Sequence, residues 1–204
     1  MEAPSDNELV RKLRAGDLNA LAEIFNIHRE RLRQMIALRL DERLGGRVSG
    51  SDVLQEVYID ALKRIDHFFQ QPDLPAYLWL RLLTQQRLVD VHRQHLGADM
   101  RTVAKEVAMA PNDYQSASSV CIARHLAAKD ESPSATVSKR EQMKAIEAAL
   151  ESMDPIDREV LALRHFEELS NDEAAQILGL KKAAASNRYV RALQRLKDVL
   201  NSRG

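Results

Sequence analysis

The 204-residue sequence predicts an all-α protein made of two small helical domains joined by a linker. Only 4% of the chain is aromatic while 45% is hydrophobic, a balance that favours packed amphipathic helices over sheets. Apolar residues recur at three- and four-residue spacings in both halves of the chain. Between the halves, from 97 to 135, that periodicity weakens, interrupted by Gly97, Pro111, Asn112, Asp113, the cluster from Ser116 to Ser119, and Pro133. The domains are therefore expected at 1–96 and 136–204, with 97–135 as the linker.

In the first half, Ser5 followed by Glu8 forms a capping-box pattern that opens a helix carrying Leu9, Val10 and Leu13, stopped at Gly16. A longer second helix places Leu18, Leu21, Ala22, Phe25, Leu32, Met35, Ile36 and Leu40 near one face and ends at Gly45 and Gly46. Ser51 is the expected cap of a third helix, with Val53, Leu54, Val57, Tyr58, Ala61, Leu62 and Ile65 on its apolar side. Pro75 suits the first turn of a fourth, which carries Leu78, Leu82, Leu83, Leu88 and Val91. Together these predict a four-helix bundle. Within the linker, Val103 to Met109 and Val120 to Ala128 have compositions compatible with helical turns.

The second half resumes at Lys139 with Met143, Ile146, Ala149 and Leu150. Asp154 and Pro155 then reset it, a cap followed by a proline in the first helical turn. Ile156, Val160, Leu161 and Leu163 continue as an apolar stripe, Ser170 with Glu173 is a second capping box, and Gly179 is a stop. The last helix runs from Lys181 to Leu200, packing through Ala185, Tyr189, Ala192, Leu193, Leu196 and Leu200.

Thirty basic residues balance thirty acidic ones, so only local charge can speak for a nucleic-acid partner. The single cysteine, Cys121, cannot form an intrachain disulfide or a multi-Cys zinc site, which suits a reducing cytoplasm, and no role is favoured for it over a reactive thiol beside Arg124 and His125. Met1 to Asp6 is acidic rather than basic and then apolar, and no run has membrane-spanning length, so a soluble cytoplasmic protein with no membrane insertion is expected. His92 and His95 share a helix face, but no third ligand has suitable spacing, so no metal or other cofactor is expected. Phosphate-loop, nucleophile-elbow and Cys/His signatures do not occur. The sequence therefore offers no catalytic residue and reads as a non-enzyme.

The segment from Leu169 to Leu196 has the grammar of a helix-turn-helix: a capped short helix, a glycine turn and a longer basic helix. Lys181, Lys182, Ser186, Asn187, Arg188 and Arg191 are donors that can reach phosphates or base edges in a major groove. An ordinary solvated face would look similar, and a helix-turn-helix alone does not separate one class of DNA-binding protein from another.

The first half discriminates. It contains Ser51-Asp52-Val53-Leu54-Gln55-Glu56-Val57-Tyr58, then Ala61-Leu62-Lys63-Arg64-Ile65, Trp79-Leu80 and Asp90-Val91-His92-Arg93. This resembles the second conserved region of extracytoplasmic-function (ECF) sigma factors of the sigma-70 family. Asp154 to Leu161, Leu163-Arg164 and the terminal helix-turn-helix resemble the fourth region. The resemblance implies that Asp52, Gln55, Glu56 and Tyr58 dock on core RNA polymerase. It also implies that Phe68, Phe69, Trp79, Arg81, Gln85, Gln86, Arg87 and Arg93 meet the minus-10 element, and that the terminal helix reads the minus-35 duplex of promoter DNA. An anti-sigma factor is a partner the family commonly has. The chain departs from the family at Thr84-Gln85-Gln86, where an Arg-Asn pair is frequent, and at Ala183 to Asn187, so base preference does not carry over.

Spacing gives independent support. Asp52, Gln55, Glu56 and Asp60 recur every three or four residues, forming a polar stripe suited to a basic partner. Arg81, Gln85, Gln86, Arg87 and Arg93 supply donors for a melted strand. Phe68 and Phe69 are read equally as core or as strand contacts, and Trp79 more readily as a core anchor. The competing readings are a stand-alone helix-turn-helix regulator binding a palindrome as a dimer, and a helical adaptor whose basic helix binds an acidic protein.

Overall fold

The computed structural model describes residues 5–41, 44, 47–96, 117–128 and 136–201. It forms two compact units, 1–115 and 116–204, and every described element is helix, turn or irregular chain.

In the first unit α1 spans Asp6–Arg14, with Ser5 Oγ accepting from the Glu8 N–H at 3.4 Å as the sequence requires. α2 spans Asn19–Arg39 and is tied to α1 by a 2.7 Å contact between His28 Nε2 and Asp6. α3 spans Gly50–Lys63, and its cap is Ser49, not Ser51. Ser49 Oγ accepts from the Asp52 N–H at 3.1 Å while the Asp52 carboxylate accepts from the Ser49 N–H at 3.0 Å, a reciprocal box that Ser51 has no acidic partner three residues on to form. A short α4, Ile65–Phe69, precedes the long α5, Ala76–Leu96. Leu9, Leu13, Leu21, Ile24, Leu32, Met35, Val53, Val57, Leu80 and Leu88 fill the core where these helices meet. Leu62 and Leu82, expected inside, are exposed.

His92 is buried rather than presented beside His95. Its Nδ1 lies 2.7 Å from the Leu88 carbonyl, and its Nε2 accepts the Asp41 N–H at 3.3 Å. A carbonyl can only accept and an amide can only donate, so both ring nitrogens are committed to the backbone.

The second unit begins earlier than the expected linker boundary. α6, Ser119–Ala128, packs on α7, Thr136–Glu151, and buries Cys121, Ile122 and Ala123. The Ala117 N–H donates to the buried Glu159 carboxylate at 2.9 Å, and Arg158 Nη1 donates to Ser119 Oγ at 3.0 Å. An apolar face and two polar anchors thus hold 117–128 on this unit, where interrupted periodicity predicted linker. The Val103 to Met109 stretch lies outside the described residues.

α8 spans Pro155–Leu161, capped by Asp154 on the Ile156 N–H at 2.8 Å, and runs on into a π-turn over Ala162–Phe166. α9 is Asn171–Leu178 and α10 is Lys182–Asn201. No described helix is long and apolar enough to cross a membrane, and among the described residues no group of three or more His, Cys, Asp or Glu could hold a metal ion.

Candidate functional site

The turn between α9 and α10 follows from local chemistry. Ser170 and Glu173 close a capping box at 3.2 and 2.7 Å that starts α9 in register. Gly179, at φ +63°, ends it in the left-handed conformation that a side chain disfavours, and the Leu180 N–H reaches back to the Ala175 carbonyl at 2.9 Å. Ala174 and Ala185 are fully buried, small enough to let the two helices approach. Asn171 Nδ2 donates to the Lys182 carbonyl and Lys182 Nζ to Asp172, both at 2.9 Å, fixing the start of α10 against α9.

Lys181, just before α10, and Lys182, Ser186, Asn187 and Arg191 along it are exposed, and Arg188 is half-buried. The two arginines are not simply solvated. Arg188 Nη1 donates to Asp157 of α8 at 2.6 Å, and Arg191 donates to the same carboxylate through Nε and Nη2, each at 2.9 Å. Burial pushes the Asp157 carboxyl up, but the bonds and charges of Arg191 and Arg188 outweigh it and hold the group below the usual carboxylate range. Opposite the buried line of Ala185, Ala192 and Leu196, Asn187, Val190, Arg191 and Gln194 line a shallow open groove. Val190, 62% exposed, is a surface residue the sequence reading missed, although it lies off the packing stripe.

On α3, Asp52, Gln55 and Glu56 are exposed together, and Tyr58 is half-buried with its ring edge-on to Phe25 at 5.2 Å. Asp52 has a structural duty as well, since hydrogen bonds from the Ser49 side chain and backbone hold its carboxyl below the usual range. Glu56 also faces Arg87 of α5 at 3.5 Å. The polar stripe continues into Ile59 and Leu62, 39% and 38% exposed, at four- and seven-residue spacing from Gln55. Sequence reasoning placed Leu62 inside and gave Ile59 no role. Their exposure turns the stripe into an apolar strip edged by acids.

The residues expected at the minus-10 element divide in two. Phe68 and Trp79 are 1% and 2% exposed and stack with ring centroids 4.5 Å apart, while Arg81 and Gln85 are also buried. These four lie in the interior of the unit and do not face solvent in the free chain, since residues 76–81 and 83–85 of α5 are buried and Phe68 packs on Trp79. Phe69, Gln86, Arg87 and Arg93 remain at the surface, with Phe69 under the Arg14 guanidinium at 5.8 Å and Gln86 accepting from Arg64 at 2.7 Å.

A capped supporting helix, a left-handed glycine turn and a donor-rich second helix define a helix-turn-helix unit in an all-helical, two-unit protein. The family model described as "Sigma-70, region 4" matches residues 143–196, which encloses that unit. Over 154 residues the chain is 29% identical to the RNA polymerase sigma factor CnrH of Cupriavidus metallidurans, covering 74% of this chain and 73% of that one. It is 23% identical over 194 residues to the ECF RNA polymerase sigma factor BldN of Streptomyces coelicolor, covering 95% of this chain but 65% of BldN, just under two thirds. In fold it is similar to CnrH solved in complex with the cytosolic domain of CnrY, with a TM-score of 0.57 at 20% identity over 98% of this chain and 99% of that one. Residues 143–196 thus match region 4 of the sigma-70 family, and the chain as a whole is similar to ECF sigma factors.

Proposed function

We propose that this protein binds core RNA polymerase and directs promoter-specific initiation of transcription. The observation that carries this reading is the formed helix-turn-helix of α9 and α10 lying inside the region 4 match. In this reading residues 136–204, joined by 117–128, read the minus-35 duplex. Lys181, Lys182, Ser186, Asn187, Arg188 and Arg191 supply the donors.

Residues 1–96 hold the polymerase and the minus-10 element. The α3 strip of Gln55, Glu56, Ile59 and Leu62, with Asp52 and Tyr58 beside it, meets the polymerase, its apolar members giving area and its acids selecting a basic partner. Phe69, Gln86, Arg87 and Arg93 are the surface groups left to touch the opened strand. The protein's part is recognition, the chemistry of RNA synthesis being the polymerase's, and its place of work is the cytoplasm. CnrH is solved with the cytosolic domain of CnrY, and an anti-sigma partner of that kind is proposed for this chain as well.

The test is capture of core polymerase by the full chain. Saturable binding weakened by Glu56→Arg supports the assignment. Absence of binding would leave a stand-alone regulator or an adaptor in its place.

A further inference from the structure

The two arginines central to the proposed minus-35 surface share one acid. Asp157 has a side chain only 8% exposed and takes three hydrogen bonds from Arg188 and Arg191. Asp154, the cap of α8, stands 3.6 Å from Arg188. Arg191 has five N–H donors and spends two on Asp157, so three remain on a side chain that is 63% exposed. A bidentate pair also fixes the plane of the guanidinium, because two parallel bonds permit one orientation only.

We propose that Asp157 is a positioning residue of the recognition helix. By clamping Arg188 and Arg191 it fixes the direction in which their remaining donors meet DNA, and so governs sequence discrimination more than raw affinity. The proposal rests on the helix-turn-helix being the duplex-reading element. Two charge effects oppose each other here. Removing a carboxylate near phosphates strengthens sequence-independent attraction, whereas freeing two long side chains makes ordering them part of the cost of each specific complex.

The experiment uses the full chain assembled with core polymerase, with core polymerase alone as baseline. Wild type is allowed to enrich duplexes from a random-sequence pool, and affinities for the enriched duplex and a scrambled one are then measured across a salt series. Asp157→Asn should hold or strengthen scrambled-duplex binding, steepen its salt dependence by about one counterion, and lower the enriched-to-scrambled ratio by about tenfold. Asp157→Glu keeps the charge but moves the carboxylate by one methylene and breaks the bidentate register without touching a DNA-contacting group, so it should lower the same ratio with the scrambled-duplex salt slope unchanged, even if Asp157→Asn fails to fold. A purely structural Asp157 would weaken both duplexes together. Equal weakening, or a ratio within about twofold of wild type in the folded variants, overturns the proposal alone, given the scale of one specific contact. A wild type that enriches no sequence overturns the DNA-reading assignment and the clamp with it.

Discussion

Replacing Phe68 separates a core role from a DNA-contacting one. The ring is 1% exposed and stacked on Trp79 at 4.5 Å with planes 19° apart, so Phe68→Ala removes a wholly buried group and strips one face of its neighbour. Burying such a ring and leaving a cavity in its place are together worth about 3 to 5 kcal/mol, of which the aromatic pairing is about 0.5 to 1.5. A loss of about 4 kcal/mol would remove a large part of the 5 to 15 kcal/mol that holds a typical domain folded. It would lower the melting temperature of a unit this size by roughly 15 to 30 °C. Thermal unfolding of the full chain by circular dichroism, with limited proteolysis to tell which unit opens first, reads this directly. Phe69→Ala is the control: the ring is only half-buried, and the expected cost is under about 1 kcal/mol. If Phe68→Ala melted within a few degrees of wild type while specifically abolishing promoter opening, the core assignment would be refuted.

The remaining predictions test separate parts of the account. Ile59→Asp and Leu62→Asp should weaken core-polymerase binding about tenfold or more without lowering the melting temperature, as anisotropy titration can show; unchanged affinity would remove the α3 strip from the interface. Gly179→Ala should destabilise the second unit by about 1 to 2 kcal/mol. Nothing lies within 4 Å of an added Cβ, so the cost is the left-handed backbone at φ +63°, and a variant as stable as wild type would contradict it. The folded Asp157 carboxyl titrates below its unfolded value, so its stabilisation is complete above about pH 4, the unfolded value, and is lost as pH falls through the lower folded one. Chemical unfolding of the second unit below about pH 4 should therefore weaken more steeply for wild type than for Asp157→Asn; parallel curves would show that the clamp adds nothing to the fold.

Signals held within a few residues of one another were legible before the structure. Ser5 with Glu8, Ser170 with Glu173, Asp154 before Pro155 and Gly179 each act over one turn, and each stands where the spacing placed it. The helix-turn-helix could be read for the same reason. Ser49 was missed in favour of Ser51 because both are good caps by type, and only the reach to Asp52 distinguishes them. α5 misled because it buries Arg81, Thr84, Gln85 and His92 among its leucines. Thr84 satisfies its hydroxyl on the Leu80 carbonyl at 2.8 Å and His92 its ring on Leu88, so polarity there does not mark the surface. The Asp157 clamp joins residues 31 and 34 positions apart, beyond the reach of any local pattern. The attachment of 117–128 likewise depends on Glu159, 42 residues from Ala117.

Run-off transcription with purified core polymerase and a promoter library tests the central claim most directly. Core enzyme supplemented with the full chain should start RNA at a discrete subset of templates sharing one spaced pair of sequence elements, and core enzyme alone should not. Transcripts distributed alike with and without the chain would contradict the account.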